Sequence, residues 1–295
     1  MRIPRRHARH PASRRDPASG SDAWRPLVRH SYALGLAWAR REAGNRYPGS
    51  RAALQRLLVP LDPRRFYEMP KVTEQVFTGR WLDVSSPKLI MSMLQAEGRG
   101  DWVGIDLFER EIENWRHLDP SLDLRIQDAR ALEFPDGSFD GAICVSVIEH
   151  IADDGDEQVM DELWRVLRPG GELHLTTNVG PVAGVTHIAD ARYDEASVTT
   201  DDGRVFFERR YTAASIERRL LGHPWEVLER QYVRMRRAWV HSGFARLAPL
   251  SYPFGFALRW LCPSSFEEIA DPSRLAPEEM GVVYLRVRKP SEVAA

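Results

Sequence analysis

A chain of 295 residues with a formal charge of −1 is long enough for one large domain, or one domain with appendages. With 43% hydrophobic and 9% aromatic residues it can bury a sizeable core. The near-neutral balance gives no global reason to expect a nucleic-acid partner.

Residues 1–22 crowd Arg2, Arg5, Arg6, Arg9, Arg14 and Arg15 around Pro4, Pro11 and Pro17. This reads as a disordered basic tail, with a weak anionic docking arm or an organellar address as the alternative. It lacks the apolar core of a secretory signal. Residues 23–75 read as a helical N-terminal cap, with helices at 24–43 and 50–58. Pro60, Pro63 and Pro70 are expected to interrupt the chain between residue 58 and the first strand.

From residue 76 onward, strands and helices alternate. Strands are expected at 79–84, 101–106, 122–127, 139–147 and 172–177, with helices at 87–95, at 109–116 and around 159–167. The fourth strand is a near-continuous apolar run, as a central parallel strand covered on both faces requires. In the helix after it, Val159, Met160, Leu163, Val166 and Leu167 recur at helical spacing. Pro169, Gly170 and Gly171 are expected to end that helix with a left-handed C-cap.

A helix capped by Thr212 should come after Tyr211, with Ile216, Leu220 and Leu221 buried. Residues 225–233 and 282–287 read as a final antiparallel strand pair. The insertion between them, about 239–279, is a candidate substrate lid or contact between two copies of the chain, so a homodimer is possible. The expected fold is therefore α/β: a Rossmann-like, doubly wound, mostly parallel sheet with right-handed crossovers.

Cys144 and Cys262 are the only cysteines, and Cys144 lies in an apolar strand, so a disulfide framework is not expected and a reducing cytoplasm fits. The apolar stretch 247–262 is too short and too broken to span a membrane. Lysines are few against many arginines, a weak pointer to a high-GC bacterium. No CxxC, HExxH, GxSxG or P-loop motif is present, so a metal site is not expected.

The polar residues with chemical potential sit where strands end, which is where open α/β sheets bind ligands. Asp83 ends the first strand, and Ser85, Ser86 and Pro87 turn into a helix. Ser86 is suited to cap that helix and Pro87 to open it. Free N–H groups and the helix dipole there favour an anion. Asp106 ends the second strand about 20 residues on, where an acid reads ribose hydroxyls. Leu107 and Phe108 come next as candidates for an adenine pocket. Asp128 lies just after the third strand, and Asp140 begins the fourth at the far end, in a structural position. Ser146, Val147, Glu149 and His150 lie at the end of the fourth strand. His150 could act as a general base, because imidazole titrates near neutrality; alternatively, Glu149 and His150 only orient the loop. Asn178 ends the fifth strand.

Residues 128–178 read DARALEFPDGSFDGAICVSVIEHI and, after a spacer, DELWRVLRPGGELHLTTN. This closely resembles class I S-adenosylmethionine (SAM) methyltransferases of the small-molecule, methyltransferase-11-like type. The likeness extends over about residues 79–233. The glycine-rich first loop of that family is degenerate here, replaced by Val84, Ser85 and Ser86. The resemblance implies a seven-stranded sheet with an antiparallel last strand, and a SAM cofactor. Asp83 would hold its amine, and Ser85 and Ser86 its carboxylate region. Asp106 and Leu107 would meet ribose and adenine, and Asp128 and the Ala129 N–H the adenine edge. Ser146 and Val147 would flank the methionine portion, with Glu149 and His150 next to the reacting atoms. The implied reaction is methyl transfer to an O, N or C atom of a sugar, lipid or secondary metabolite. A non-catalytic binding or scaffold module is the alternative. His187, Asp190, Arg192, Tyr193, Arg209, Arg210 and Tyr211, with Tyr67 and Glu68, are further candidates by their crevice-side position.

Overall fold

Strand β4 (Phe139–Val145) shows why this sequence makes a layered sheet: all but one of its residues are buried, so both faces must be covered. The computed structural model describes residues 22–41, 58–189, 203–236, 255, 257–262, 265–277 and 279–291. The basic tail apart from Asp22, the helix expected at 50–58 apart from Leu58, and much of the 239–279 insertion lie outside the described residues. So do Asp190, Arg192 and Tyr193.

In chain order, α1 (Trp24–Arg41) and α2 (Arg65–Thr73) precede β1 (Arg80–Val84), α3 (Leu89–Ala96), β2 (Asp101–Asp106), α4 (Glu109–Leu118) and β3 (Asp123–Ile126). After β4 come α5 (Gly155–Val166), β5 (Leu167–Val179), β6 (Gly184–Ile188), β7 (Val205–Arg210) and α6 (Ala213–Arg219). The chain continues with β8 (Glu226–Met235), α7 (Leu258–Leu261), β9 (Phe266–Ile269) and β10 (Gly281–Arg288). The main sheet has eight strands in the order β3-β2-β1-β4-β5-β10-β8-β9. The first five of these pair in parallel. Strand β10 runs antiparallel to both β5 and β8. The expected parallel sheet and antiparallel closing strand are both present. Strand β9, from within the region read as an insertion, adds an eighth strand at the edge.

The order reverses between β1 and β4, which opens a crevice at the carboxyl ends of those strands. One face of the sheet, with Trp81, Trp102, Ile143, Val145 and Tyr284, packs under α1 to α4. The other, with Leu82, Val84, Cys144, Leu175 and Val283, packs under α5 and α6. The alternation along β1 therefore sends Asp83 to the same face as Trp81. Gly141 is needed opposite: a Cβ there would stand 2.3 Å from the Trp81 ring.

Four local expectations differ. The prolines beyond residue 58 are expected to interrupt the chain, yet α2 forms with Pro70 inside it. Pro70 forfeits one backbone bond, and the burial of Phe66, Met69 and Val72 on one face outweighs that loss. Helix α5 passes directly into β5 at Leu167; Gly170 does hold a left-handed φ of +82°, but within the strand as an irregularity, not as a helix cap. Strand β4 stops at Val145, because Ser146 turns to a φ of +51°. Ser86 does not cap α3, whose first flanking residue is Lys88.

The two-stranded ribbon β6–β7 has no counterpart in the expectations. Its strands are short and half polar, and only their pairing identifies them. Thr212 does cap α6: its hydroxyl accepts from the Ser215 N–H at 3.2 Å.

Candidate active site

The turn after β1 works by different means from a glycine loop. Ser85 holds a left-handed φ of +50°, a conformation that glycine adopts at no steric cost. The turn thus keeps a glycine-like backbone with a side chain on it. The Ser86 hydroxyl accepts from the Val145 N–H at 2.9 Å and lies 3.4 Å from the Ile143 carbonyl. It thereby stitches the turn to β4 just beyond the last β1–β4 ladder pair, Asp83 with Ile143. That hydroxyl is engaged by the sheet.

Asp83 is fully buried. Its Oδ1 accepts from the Ser86 N–H at 2.9 Å. Its Oδ2 is buried without a hydrogen-bond partner. Burial pushes the Asp83 carboxyl up to about 6, against the opposing pull of Lys88 and the Ser86 N–H. An orphaned buried carboxylate oxygen is costly, so its presence points to a donor supplied from outside the chain.

Asp106 ends β2 on the same face, almost fully buried. Its Oδ1 accepts from the Phe108 N–H at 3.2 Å. Between the two acids lies Lys88, whose ammonium is 3.4 Å from Asp83 Oδ1 and 3.5 Å from Asp106 Oδ2. Sequence reasoning missed Lys88. The available signal was a lysine one turn past a strand-end acid in a chain nearly free of lysine. Leu107 and Phe108 are half-buried beyond Asp106.

Asp128 lies beyond β3, partly exposed, and holds Arg130: Arg130 Nη2 donates to Oδ2 at 2.7 Å and Nε to Oδ1 at 3.0 Å. The bond to that guanidinium keeps the Asp128 carboxyl below the usual carboxylate range. Ala129 is buried next to it. A ligand contact at Asp128 would share the carboxylate with Arg130.

At the end of β4, the Ser146 hydroxyl donates to Glu68 Oε1 at 2.5 Å, while Arg65 Nη1 donates to Oε2 at 2.7 Å. Glu68, on α2, thus brings a buried carboxylate to the crevice from far upstream. Val147 is half-buried beside the core under α5 and α6. Glu149 is buried and accepts from the Thr177 hydroxyl at 3.0 Å; burial raises its pKa, with His150 pulling the other way. His150 Nδ1 lies 2.7 Å from the Phe207 carbonyl of β7. A proton on Nδ1 makes that a hydrogen bond and leaves the basic lone pair on Nε2. Asn178 donates to Glu208 Oε2 at 2.9 Å, which ties β5 to the ribbon.

The remaining candidates separate. Tyr211 is fully buried and donates to Asp156 at 2.8 Å, inside a cluster closed by Arg219. Arg209 binds the Asp153 carbonyl and Arg210 the Pro277 carbonyl. Tyr67 donates to Gln231 at 2.9 Å, and His187 sits on the ribbon against Phe206. The structure brings together Asp83, Ser86 and Asp106 around Lys88. Ser146 meets Glu68 in the neighbouring part of the crevice. Among the described residues, no group of three or more His, Cys, Asp or Glu could hold a metal ion, and no helix is long and apolar enough to cross a membrane.

Residues 82–175, which run from β1 into β5 and carry these acids, match the methyltransferase domain family. This segment is therefore similar to a methyltransferase domain. The chain is 38% identical over 72 residues to a phosphatidylethanolamine N-methyltransferase of Cereibacter sphaeroides, covering 23% of this chain and 34% of that protein. It is 34% identical over 88 residues to EEF1A lysine methyltransferase 4 of Mus musculus, covering 25% and 34%. The match thus spans about a third of each of these relatives' own length. Beyond the segment, the methyltransferase fold itself extends further. Phosphoethanolamine N-methyltransferase 2 of Haemonchus contortus, solved in complex with SAM, superposes with a TM-score of 0.51 at 15% identity. That superposition covers 86% of this chain and 60% of the other.

Proposed function

We propose that the protein is a SAM-dependent methyltransferase acting on an O, N or C atom of a small molecule such as a sugar, a lipid or a secondary metabolite. One observation carries the reading: Asp83 and Asp106 stand at neighbouring strand ends, with Asp83 Oδ2 buried and lacking a partner. That oxygen fits a ligand ammonium, and Asp106 fits a vicinal diol. The names of the relatives include lipid and protein-lysine amines, which supports nitrogen among the acceptor atoms.

The cofactor would supply a methyl group already activated on a sulfonium. The chain's own work is then binding, alignment and proton removal. Asp83 takes the amine, Asp106 the ribose, and Asp128 with the Ala129 N–H the adenine edge. His150, oriented by the Phe207 carbonyl, accepts the acceptor's proton at Nε2. Glu149, fixed by Thr177, shapes the loop that carries His150. Glu68 and the ribbon β6–β7 border the acceptor side.

A second reading is a non-catalytic binding or scaffold module. It is favoured by the side chains of Ser85, Ser86 and Pro87 where glycines would admit a ligand, and by the closure of the two acids on Lys88. Calorimetric titration with SAM and S-adenosylhomocysteine, with NAD as control, separates the two. Micromolar binding of the first two alone, followed by methyl transfer to an acceptor, supports the enzyme, and binding without turnover favours the binding module. No binding sinks it in favour of the scaffold.

A further inference from the structure

The crevice contains a cation that the chain itself supplies. Lys88 is 1% exposed, and its ammonium donates to the Ser86 carbonyl at 3.0 Å as well as facing Asp83 and Asp106 at 3.4 and 3.5 Å. Of its three N–H donors, two bond the Ser86 carbonyl and Asp83 Oδ1, while Asp106 Oδ2 is held by charge at 3.5 Å.

The acids need such a partner. They leave adjacent strands on the same face, where Asp83 pairs across the ladder with Gly104 and Asp106 lies two residues further along β2. Two buried carboxylates at close range repel, and one of them tends to hold a proton. A protonated carboxyl attracts an ammonium far less than a carboxylate does and turns one acceptor oxygen into a donor, which weakens its hold on a diol. Burial drives Asp83 upward and Asp106 pushes the same way, while Lys88 is the strongest influence in the opposite direction. Among the described residues no other cation forms an ion pair with either acid.

Two carboxylates and one ammonium leave one negative charge and one orphaned oxygen, Asp83 Oδ2. A ligand carrying a single ammonium would complete both counts. In a turn built from Ser85, Ser86 and Pro87, the next residue, a lysine, performs this bracing from within the loop.

We propose that Lys88 is a positioning residue for cofactor binding, a tethered counter-ion that holds Asp83 and Asp106 together and charged in a turn without glycines. The inference rests on the cofactor reading of the crevice given above.

The test uses the full chain and the variants Lys88→Met, Lys88→Arg and Lys88→Met with Asp106→Asn, each checked for folding by thermal melting. The ligand-free arm tracks the Asp83 carboxyl by carbon-13 NMR as pH is varied. Lys88→Met should move its midpoint up by about one pH unit or more, Lys88→Arg should leave it in place, and the double variant should reverse most of the shift. An Asp83 midpoint unmoved in Lys88→Met overturns the proposal.

The ligand arm titrates S-adenosylhomocysteine between about pH 6.5 and 9. Lys88→Met should bind about tenfold or more weakly near neutrality and recover as pH rises, a profile that loss of packing alone does not produce. Tighter binding by Lys88→Met would make the lysine a competitor and overturn the proposal. Equal binding at every pH would do the same while leaving the cofactor reading intact. A wild-type chain that binds no S-adenosylhomocysteine removes the cofactor reading itself, and with it the proposed role.

Discussion

The Ser146 hydroxyl donates a 2.5 Å hydrogen bond to the carboxylate of Glu68, across 78 residues of sequence. Ser146 holds a left-handed φ of +51°, and Glu68 is 1% exposed on α2. The N-terminal helices therefore fix the turn after β4, and do not merely lie over the sheet.

Removing that carboxylate should be felt in stability first. Glu68→Ala leaves the Ser146 hydroxyl and Arg65 without their acceptor and should cost about 1–3 kcal/mol. Glu68→Gln keeps an acceptor for Ser146 and should recover part of the loss. Urea denaturation of both variants checks this; an Ala variant as stable as wild type would mean that apolar packing of Phe66, Met69 and Val72 alone seats α2.

Ser85 bears a strain cost for its left-handed backbone. Ser85→Gly should be neutral or stabilising, by up to about 1 kcal/mol, and Ser85→Val should destabilise by more than that. Thermal melting of the pair gives the answer. Equal melting temperatures for all the forms would show that the turn relaxes to another conformation.

Asp83 carries a pH signature. Its folded-state carboxyl titrates at about 6, above the ordinary 3.8, so the folded chain holds that proton more tightly than the unfolded chain. Stability from this group is greatest below the ordinary value and falls as pH rises through 6, by about 2–3 kcal/mol in all. Asp83→Asn should thus be more stable than wild type at neutral pH, with the gain shrinking on acidification. It should also lose SAM. Denaturation across this pH range tests the first point, and a gain that grows with acid would contradict it.

Asp106→Ala should weaken SAM by about 1–3 kcal/mol through lost charge-assisted hydrogen bonds, measured by calorimetry. Unchanged affinity would remove Asp106 from the site.

His150→Ala should leave SAM binding intact and slow methyl transfer by about 10²–10⁴-fold, the usual worth of a positioned base. Single-turnover rates on the acceptor read this directly. An unaltered rate would assign His150 to loop orientation through Phe207.

By itself the sequence determined the order of strands and helices from β1 to β5 and the acids at their ends. Those arise from local rules: apolar runs make buried strands, helical spacing makes the covering helices, and polar residues collect where strands stop. Thr212 was legible as a cap because capping is a contact three residues long.

The contacts that decide the site are not local. The Ser86 hydroxyl looked like a helix cap or a ligand contact and is instead joined to Val145, since the sheet offers it a buried N–H that would otherwise lack a partner. Lys88 carried no expectation from the sequence beyond being one of few lysines, yet the parallel pairing of β1 and β2 sets two acids around it. Glu68 reached Ser146, and the ribbon β6–β7 formed, only because folding brought distant segments to the same end of the sheet. Sequence spacing records neither a cross-strand neighbour nor the charge that burial forces it to share, and only the tertiary structure supplied both.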